Sequence, residues 1–226
     1  MFKSVIAAGV AACALAAVSQ PAQAADHPDF TGMWRVTRFV PAIKTDKGAL
    51  PPLRPEARKI YDQRVADRAA KRDVHDPIDA CLPHGAVRLM FAPYPLLILQ
   101  ANGQVDLVQE ANHTQRLIYI DQGRADPDDP KWLGDSAGHW EGRTLVVETI
   151  NNDHRTWLDK AGLPHSDDMK VTERLSMGPG GKVLTDAITI DDPKTYTAPW
   201  TTTVRFNRLP GPMDLKESVC VRDHRM

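Results

Sequence analysis

Apolar and polar positions change period three times along the chain. Val5 to Val18 is an unbroken run of small apolar residues. Phe30-Thr31-Gly32-Met33-Trp34-Arg35-Val36 opens a short strand, which a loop closes by Pro51-Pro52. Residues 56 to 71 are almost all good helix formers, with Pro55 at a position where a helix start tolerates proline; Ile60, Tyr61, Val65 and Ala69 form its apolar stripe. Four X-Pro pairs between Asp76 and Pro95 make residues 73 to 95 an extended, irregular stretch. From Leu96 onward the period becomes two, with runs at 96–101, 104–111, 115–121, 137–141, 143–150, 170–177, 182–191, 200–208 and 215–222. Asn102-Gly103 and Glu141-Gly142 are two-residue hairpin signals, and Gly178-Pro179-Gly180-Gly181 is a looser one.

Short links between so many strands predict a mainly β fold. The expected form is an antiparallel meander closed into a barrel, with one N-terminal helix packed outside. Closure removes exposed strand edges, although a sandwich would give the same pattern.

Lys3 precedes the first apolar run and Ala22-Gln23-Ala24 follows it, the layout of an export signal cleaved after Ala24. A lipoprotein site at Cys13 fits less well, because apolar residues continue straight past it. The expectation is a periplasmic or secreted single domain over residues 25–226. It divides into an N-terminal arm at 25–95 and a meander at 96–226. No later segment approaches the ~20 apolar residues of a spanning helix, so no integral membrane contact is expected. Losing Lys3 from 28 basic residues against 29 acidic ones leaves a charge of −2, which argues against a nucleic-acid partner. Export also removes Cys13, leaving Cys81 and Cys220 to form one disulfide, worth ~5 kcal/mol in the chain-entropy model, or to remain two buried thiols.

Charged residues on the buried face of a strand need a reason. Alternation places Glu173 in line with Val171 and Leu175, and Glu217 in line with Leu215 and Val219, so both carboxylates aim inward. Asp186 shares a row with Leu184 and Ile188, although Thr185, Ala187 and Thr189 offer a competing inner row. Inward acids must be paired, protonated or wetted by a cavity, and a cavity so lined is a site by default. The competing explanation is a structural ion pair with Arg116 or Arg205.

Histidines supply the second constellation. His113 and Arg116 sit at a hairpin end, and the 151–169 connection carries Asp153, Trp157 and His165 in a long loop of the kind that forms lids. A histidine beside a carboxylate has its tautomer set and its pKa raised, so His113 or His165 with Glu173 or Asp153 would make an acid–base couple. No H-x-x-x-H or H-x-H spacing supports a metal, and no Gly-rich phosphate loop is present; neither metal nor cofactor is expected. Gly134-Asp135-Ser136-Ala137-Gly138 has the letters of a nucleophile elbow without the strand-to-helix setting.

Phe-Thr-Gly-Met-Trp at 30–34 resembles the G-x-W opening of lipocalin-like, calycin-type barrels. That resemblance implies that Trp34 closes the barrel base under an arginine from a late strand, Arg205 or Arg222. The chain also resembles a large family of secreted bacterial proteins. The matching pieces include Cys81-Leu82-Pro83, His113 to Arg116, Gly138 to Gly142, Thr156 to Asp159, Pro164-His165-Ser166, Glu173-Arg174 and Asp192-Pro193. Little about activity follows from it. Among lipocalin-like barrels, the cofactor-free phenolic acid decarboxylases use Tyr, Arg and Glu, types that Tyr119, Arg116 and Glu173 supply here.

The functional expectation is a cofactor-independent lyase, decarboxylase or isomerase acting on a small apolar, aromatic acid. Arg116 would hold the carboxylate, with Tyr119 and Glu217 beside the ligand. His113 or His165 would move a proton, Glu173 or Asp153 would orient it, and Trp157 would cover the ring. The alternatives are a non-catalytic barrel that binds a small molecule, and a structural envelope protein. Oligomeric state stays open.

Overall fold

The computed structural model describes residues 27–122 and 129–221; the expected export signal lies outside them. Nine strands close into one barrel in chain order: β1 (Gly32–Val36), β2 (Leu96–Ala101), β3 (Gln104–Gln109), β4 (Thr114–Ile120), β5 (Asp135–Glu141), β6 (Thr144–Ile150), β7 (Lys170–Met177), β8 (Val183–Asp191) and β9 (Trp200–Arg208). Two helices, α1 (Pro55–Ala69) and α2 (Ala86–Phe91), lie between β1 and β2.

Closure comes from the N-terminal arm. β1 pairs with β2 on one side and with β9 on the other, so a strand from the arm seals the meander. The strand expected at 215–222 is absent: residues 209–221 have no regular structure, and Glu217 is exposed rather than inward. Its alternation was real in the letters but had no open edge left to pair with. Neighbours are antiparallel except β4 and β5, which run parallel with Ile118 opposite Ser136. β5 therefore begins at the same end of the barrel as β4, and the connection between them is the crossover kind that parallel pairing requires.

The interior is filled by alternate residues of the strands, among them Ile98, Leu107, Ile118, Leu145, Leu184, Ile188 and Phe206, all fully buried. Trp34 closes the base, its indole N–H donating to the Phe30 carbonyl at 2.8 Å. An arginine of the last strand covers it, as the resemblance implies, but the residue is Arg208: its guanidinium lies 4.3 Å from the ring centroid. Arg208 is fixed there by Nε donating to the Gly181 carbonyl at 2.8 Å. Arg205 points out to solvent, on the opposite face of β9, and Arg222 is outside the described residues. The barrel is thus compatible with a calycin-type fold.

Helix α1 packs through a different face from the expected stripe. Ala57 and Tyr61 are buried, whereas Ile60 and Val65 are 47% and 41% exposed. The seam continues one and two turns on as Arg64, whose guanidinium lies 4.3 Å from the Trp157 ring centroid, and Arg68, which reaches Asp76. Two of the four contact positions are arginines laying their stems on the protein, so counting apolar letters misplaces the face. Helix α2 was read as irregular chain. It is six residues long and buried on every side, Arg88 included, so it carries no amphipathic period.

Cys81 and Cys220 form the disulfide, with Cα atoms 5.6 Å apart. It joins the pre-β2 segment to the irregular tail rather than to a last strand. The tail is held against the β3–β4 turn by Lys216 N donating to Glu110 at 3.2 Å and Cys220 N donating to Asn112 Oδ1 at 2.7 Å. No helix among the described residues is long and apolar enough to cross a membrane.

Candidate functional site

Five strands aim polar side chains into the barrel. Arg116 (β4), Ser136 (β5), Thr149 (β6), Glu173 (β7) and Asp186 (β8) are all buried. The Arg116 guanidinium grips both oxygens of Glu173, at 2.9 Å for Nη1 to Oε1 and through Nη2 to Oε2. Nη2 also donates to Thr149 Oγ1 at 2.8 Å and Nε to Ser136 Oγ at 3.1 Å. Burial alone would lower the Arg116 pKa; the charge and hydrogen bonds of Glu173 outweigh it, and the net shift is upward. Four of the five guanidinium hydrogens are spent inside the cluster.

Asp186 occupies the diagonal position to Glu173 across the β7–β8 ladder, with Leu175 opposite it. Neither of its carboxylate oxygens meets a donor. Burial first, and then the charge of Glu173, push its carboxyl well above the usual carboxylate range. The protonated form turns a repulsive oxygen–oxygen contact into an O–H donor aimed at Glu173. Of the two explanations for inward acids, an ion pair with Arg116 is what Glu173 makes.

The remaining sequence-derived candidates are dispersed. Tyr119 faces outward, since three residues along β4 from Arg116 reverses the side of the strand. His113 is exposed at the β3–β4 turn, its Nε2 3.0 Å from the Lys216 carbonyl oxygen. His165 is buried, with Nδ1 3.0 Å from the Ser166 carbonyl oxygen and Nε2 2.7 Å from Thr156 Oγ1; burial pushes its pKa down. The carboxylate of Asp153 goes to Arg155, through both the side chain and the backbone N–H at 2.9 Å. Arg155's hydrogen bonds hold the Asp153 pKa below the usual value. Thr156 alone joins the His165 ring to the Asp153 backbone, so the expected imidazole–carboxylate couple does not form. Trp157 is buried beneath Arg64. The 151–169 connection is packed rather than lid-like: Trp157, Leu158, Asp159 and Leu163 are all buried.

A cavity of about 260 Å³ lies on the flank of the barrel, lined by loop residue Phe39, Arg68 of α1, the 76–94 segment and Asp159-Lys160. Asp76 organises its floor. It accepts from Arg88 Nη1 and Nη2 at 2.8 and 2.9 Å, from Arg68 Nη2 at 3.2 Å and from the Ile78 N–H at 3.2 Å. Burial would raise the Asp76 pKa, but Arg88 outweighs it and the net shift is downward. Asp159 accepts three backbone N–H groups, from Gly162, Leu163 and Ile43 at 2.8 to 2.9 Å, yet burial still pushes its carboxyl up.

His84 stands on the wall of this cavity, 6% exposed and edge-on to Tyr94 with ring centroids 6.3 Å apart. Burial, and then the positive charge of Arg88, lower its pKa to about 4, so the ring is neutral at physiological pH. Gly85 sets its position. With φ +84°, any Cβ there would fall 2.8 Å from Thr156 Oγ1, so only glycine lets the start of α2 approach the 151–169 connection. His84, Arg88, Arg68 and Asp76 were missed in the sequence. The available signal was Arg88, one charge inside the apolar run Ala86-Val87-Arg88-Leu89-Met90-Phe91, which demands a partner.

Among the described residues, Asp153, His154 and Asp167 bring ligand-type atoms within 4.8 Å of one another. They satisfy each other without an ion: Arg155 takes both Asp153 oxygens, and His154 Nδ1 lies 2.9 and 3.0 Å from the oxygens of Asp167. A scan against protein-family models and a search of curated proteins each return no match.

Proposed function

We propose that this chain is an extracytoplasmic barrel that binds a small, partly apolar molecule in its flank cavity. The carrying observation is the cavity and the His84 ring on its wall, whose nitrogens make no hydrogen bond to the described residues and are not sealed off from solvent. A polar ring open to a mostly apolar cavity is the kind of group that fixes the orientation of a small ligand. Phe39, Phe91 and Tyr94 add aromatic walls, and the volume falls just under the ~300–1,000 Å³ of drug-sized sites, which suits a ligand of one ring. The Cys81–Cys220 bridge supports an oxidising compartment.

Acid–base turnover in the lumen, by a lyase or isomerase, draws less support. Arg116 is already paired with Glu173, and His165 and His113 find their partners elsewhere. His84 itself, with a pKa near 4, is a weak base at neutral pH, far from the value proton transfer favours.

Thermal unfolding of the chain from residue 25 with a panel of single-ring compounds tests the proposal. A compound at a hundred times its Kd adds about 2.7 kcal/mol, or roughly 5 to 10 °C for a chain of this size. Tyr94→Ala, a change at the half-exposed rim, is expected to reduce that rise without altering the unliganded midpoint by more than a degree or two. A panel with no rise, or a rise indifferent to Tyr94→Ala, overturns the reading.

A further inference from the structure

Each buried polar side chain of the flank cavity is either held or open, and the open one defines what a guest must offer. Asp76, His84, Arg88 and Asp159 are the buried polar residues of its lining. Asp76 receives four hydrogen bonds, two of them from the terminal nitrogens of Arg88, so this acid and this base close on each other. Both oxygens of Asp159 accept backbone N–H groups. His84 alone of the four has no hydrogen bond to the described residues, and its nitrogens are not sealed from solvent.

Charge is therefore a poor recognition signal here. A charged guest leaving water for this wall would find no uncommitted buried partner of opposite sign, and burying a charge unpaired is costly. Lys160 and Asp79 are exposed at the mouth, opposite in sign and screened by water, and Arg68 already reaches Asp76.

The imidazole sets a second condition. In its neutral form, favoured by burial and by Arg88, one nitrogen carries a proton and the other a lone pair, and the tautomer decides which of them meets the cavity. A carbonyl can only accept and an ammonium only donate, whereas a hydroxyl does both and suits either tautomer. It also reproduces what water offers the ring, so displacing solvent costs no hydrogen bond. Phe39, Phe91 and Tyr94 supply aromatic surface around it.

Building on the flank-cavity reading, we infer that the ligand is an uncharged one-ring compound bearing a hydroxyl, and that His84 is the residue that reads that hydroxyl. The ligand ring packs between Phe91 and Tyr94, whose own ring stands edge-on to His84.

Benzyl alcohol, benzoate, benzylamine and benzyl methyl ether share a ring and differ in charge or in the hydroxyl proton. Each is titrated at neutral pH into the chain from residue 25, with Kd from calorimetry and contact read from Tyr94 resonances. Benzyl alcohol is expected to bind about tenfold more tightly than benzoate or benzylamine, because each charge must be desolvated without a partner. His84→Phe, which fills the space without a nitrogen, lowers the ratio of alcohol to ether affinity about fivefold, the worth of one hydrogen bond. His84→Gln keeps a donor and an acceptor and holds most of that ratio. The hydroxyl inference falls and the cavity stands if the compounds shift the Tyr94 resonances but a charged one binds as well as the alcohol, the ratio survives in His84→Phe, or His84→Gln loses as much of it as His84→Phe. If no compound shifts those resonances, both fall.

Discussion

The lumen and the flank cavity are two polar sites in one molecule, and they differ in whether their unpartnered polar atoms are open to a guest. Inside the barrel, Arg116 finds Glu173, Ser136 and Thr149, and the cluster is almost complete without a guest. On the flank, Asp76 and Asp159 are complete, while the His84 ring stays open on the cavity wall with no hydrogen bond to the described residues. The lumen holds the more dramatic charges and the flank the more useful ones. Buried charge by itself marks a place where the fold had to solve a problem. Unfinished hydrogen bonding marks a place where a ligand can finish the solution.

The sharpest way to break this contrast is to open the lumen. Arg116→Ala leaves Glu173 buried without its cation, an outcome that typically costs about 3 to 5 kcal/mol. Urea unfolding should show that loss, while Arg116→Met combined with Glu173→Leu should recover most of it, because removing both charges leaves neither unpaired. The double variant is expected to keep the ligand affinity of the parent. A selective loss of binding with stability restored would move the site back into the lumen.

A second contrast lies in acid. The His84 pKa falls from an ordinary 6.5 to about 4 in the folded protein. Between those values the unfolded chain binds the proton and the native one does not, so stability is fully present above the unfolded pKa. It is lost as pH falls through the folded one. The loss is about 3 kcal/mol by the linkage relation, at ~1.4 kcal/mol per unit. His84→Gln cannot titrate and should flatten this part of the stability curve, measured by urea unfolding from pH 7 to pH 4. An unchanged curve would mean that His84 is as solvated in the folded chain as in the unfolded one, and would take the ring off the wall of the flank site.

Period-two alternation located eight strands from Leu96 onward, put Glu173 on the inner face and left Asp186 between two possible rows, because a strand's two sides are a local property of the chain but which side is inner is not. The same rule applied to Arg116 and Tyr119 would have separated them at once, as they sit three residues apart. What alternation cannot reveal is which edge a strand pairs with. The run at 215–222 has a strand's pattern, but β1 already closes the barrel against β9. The flank site was harder still. Its residues come from α1, from a helix of six residues and from a turn, and they meet only because Gly85, Thr156 and Asp159 fold distant loops together. No spacing in the sequence records that meeting.

Asp186 is the one member of the lumen cluster whose hydrogen bonding does not close, and so it is where the comparison can be refined with the smallest change. Its folded pKa is raised, so the stability it contributes is complete below the unfolded pKa and declines as pH rises toward the folded value. Asp186→Asn keeps the shape, cannot ionise and offers an N–H to Glu173. The variant never pays the cost of ionising beside Glu173, so its gain over the parent should be larger at pH 8 than at pH 5 in urea unfolding. If the two curves run parallel, Asp186 is already satisfied by water. The lumen would then be open enough to admit a ligand after all, and the distinction drawn between the two sites would narrow to one of charge pairing.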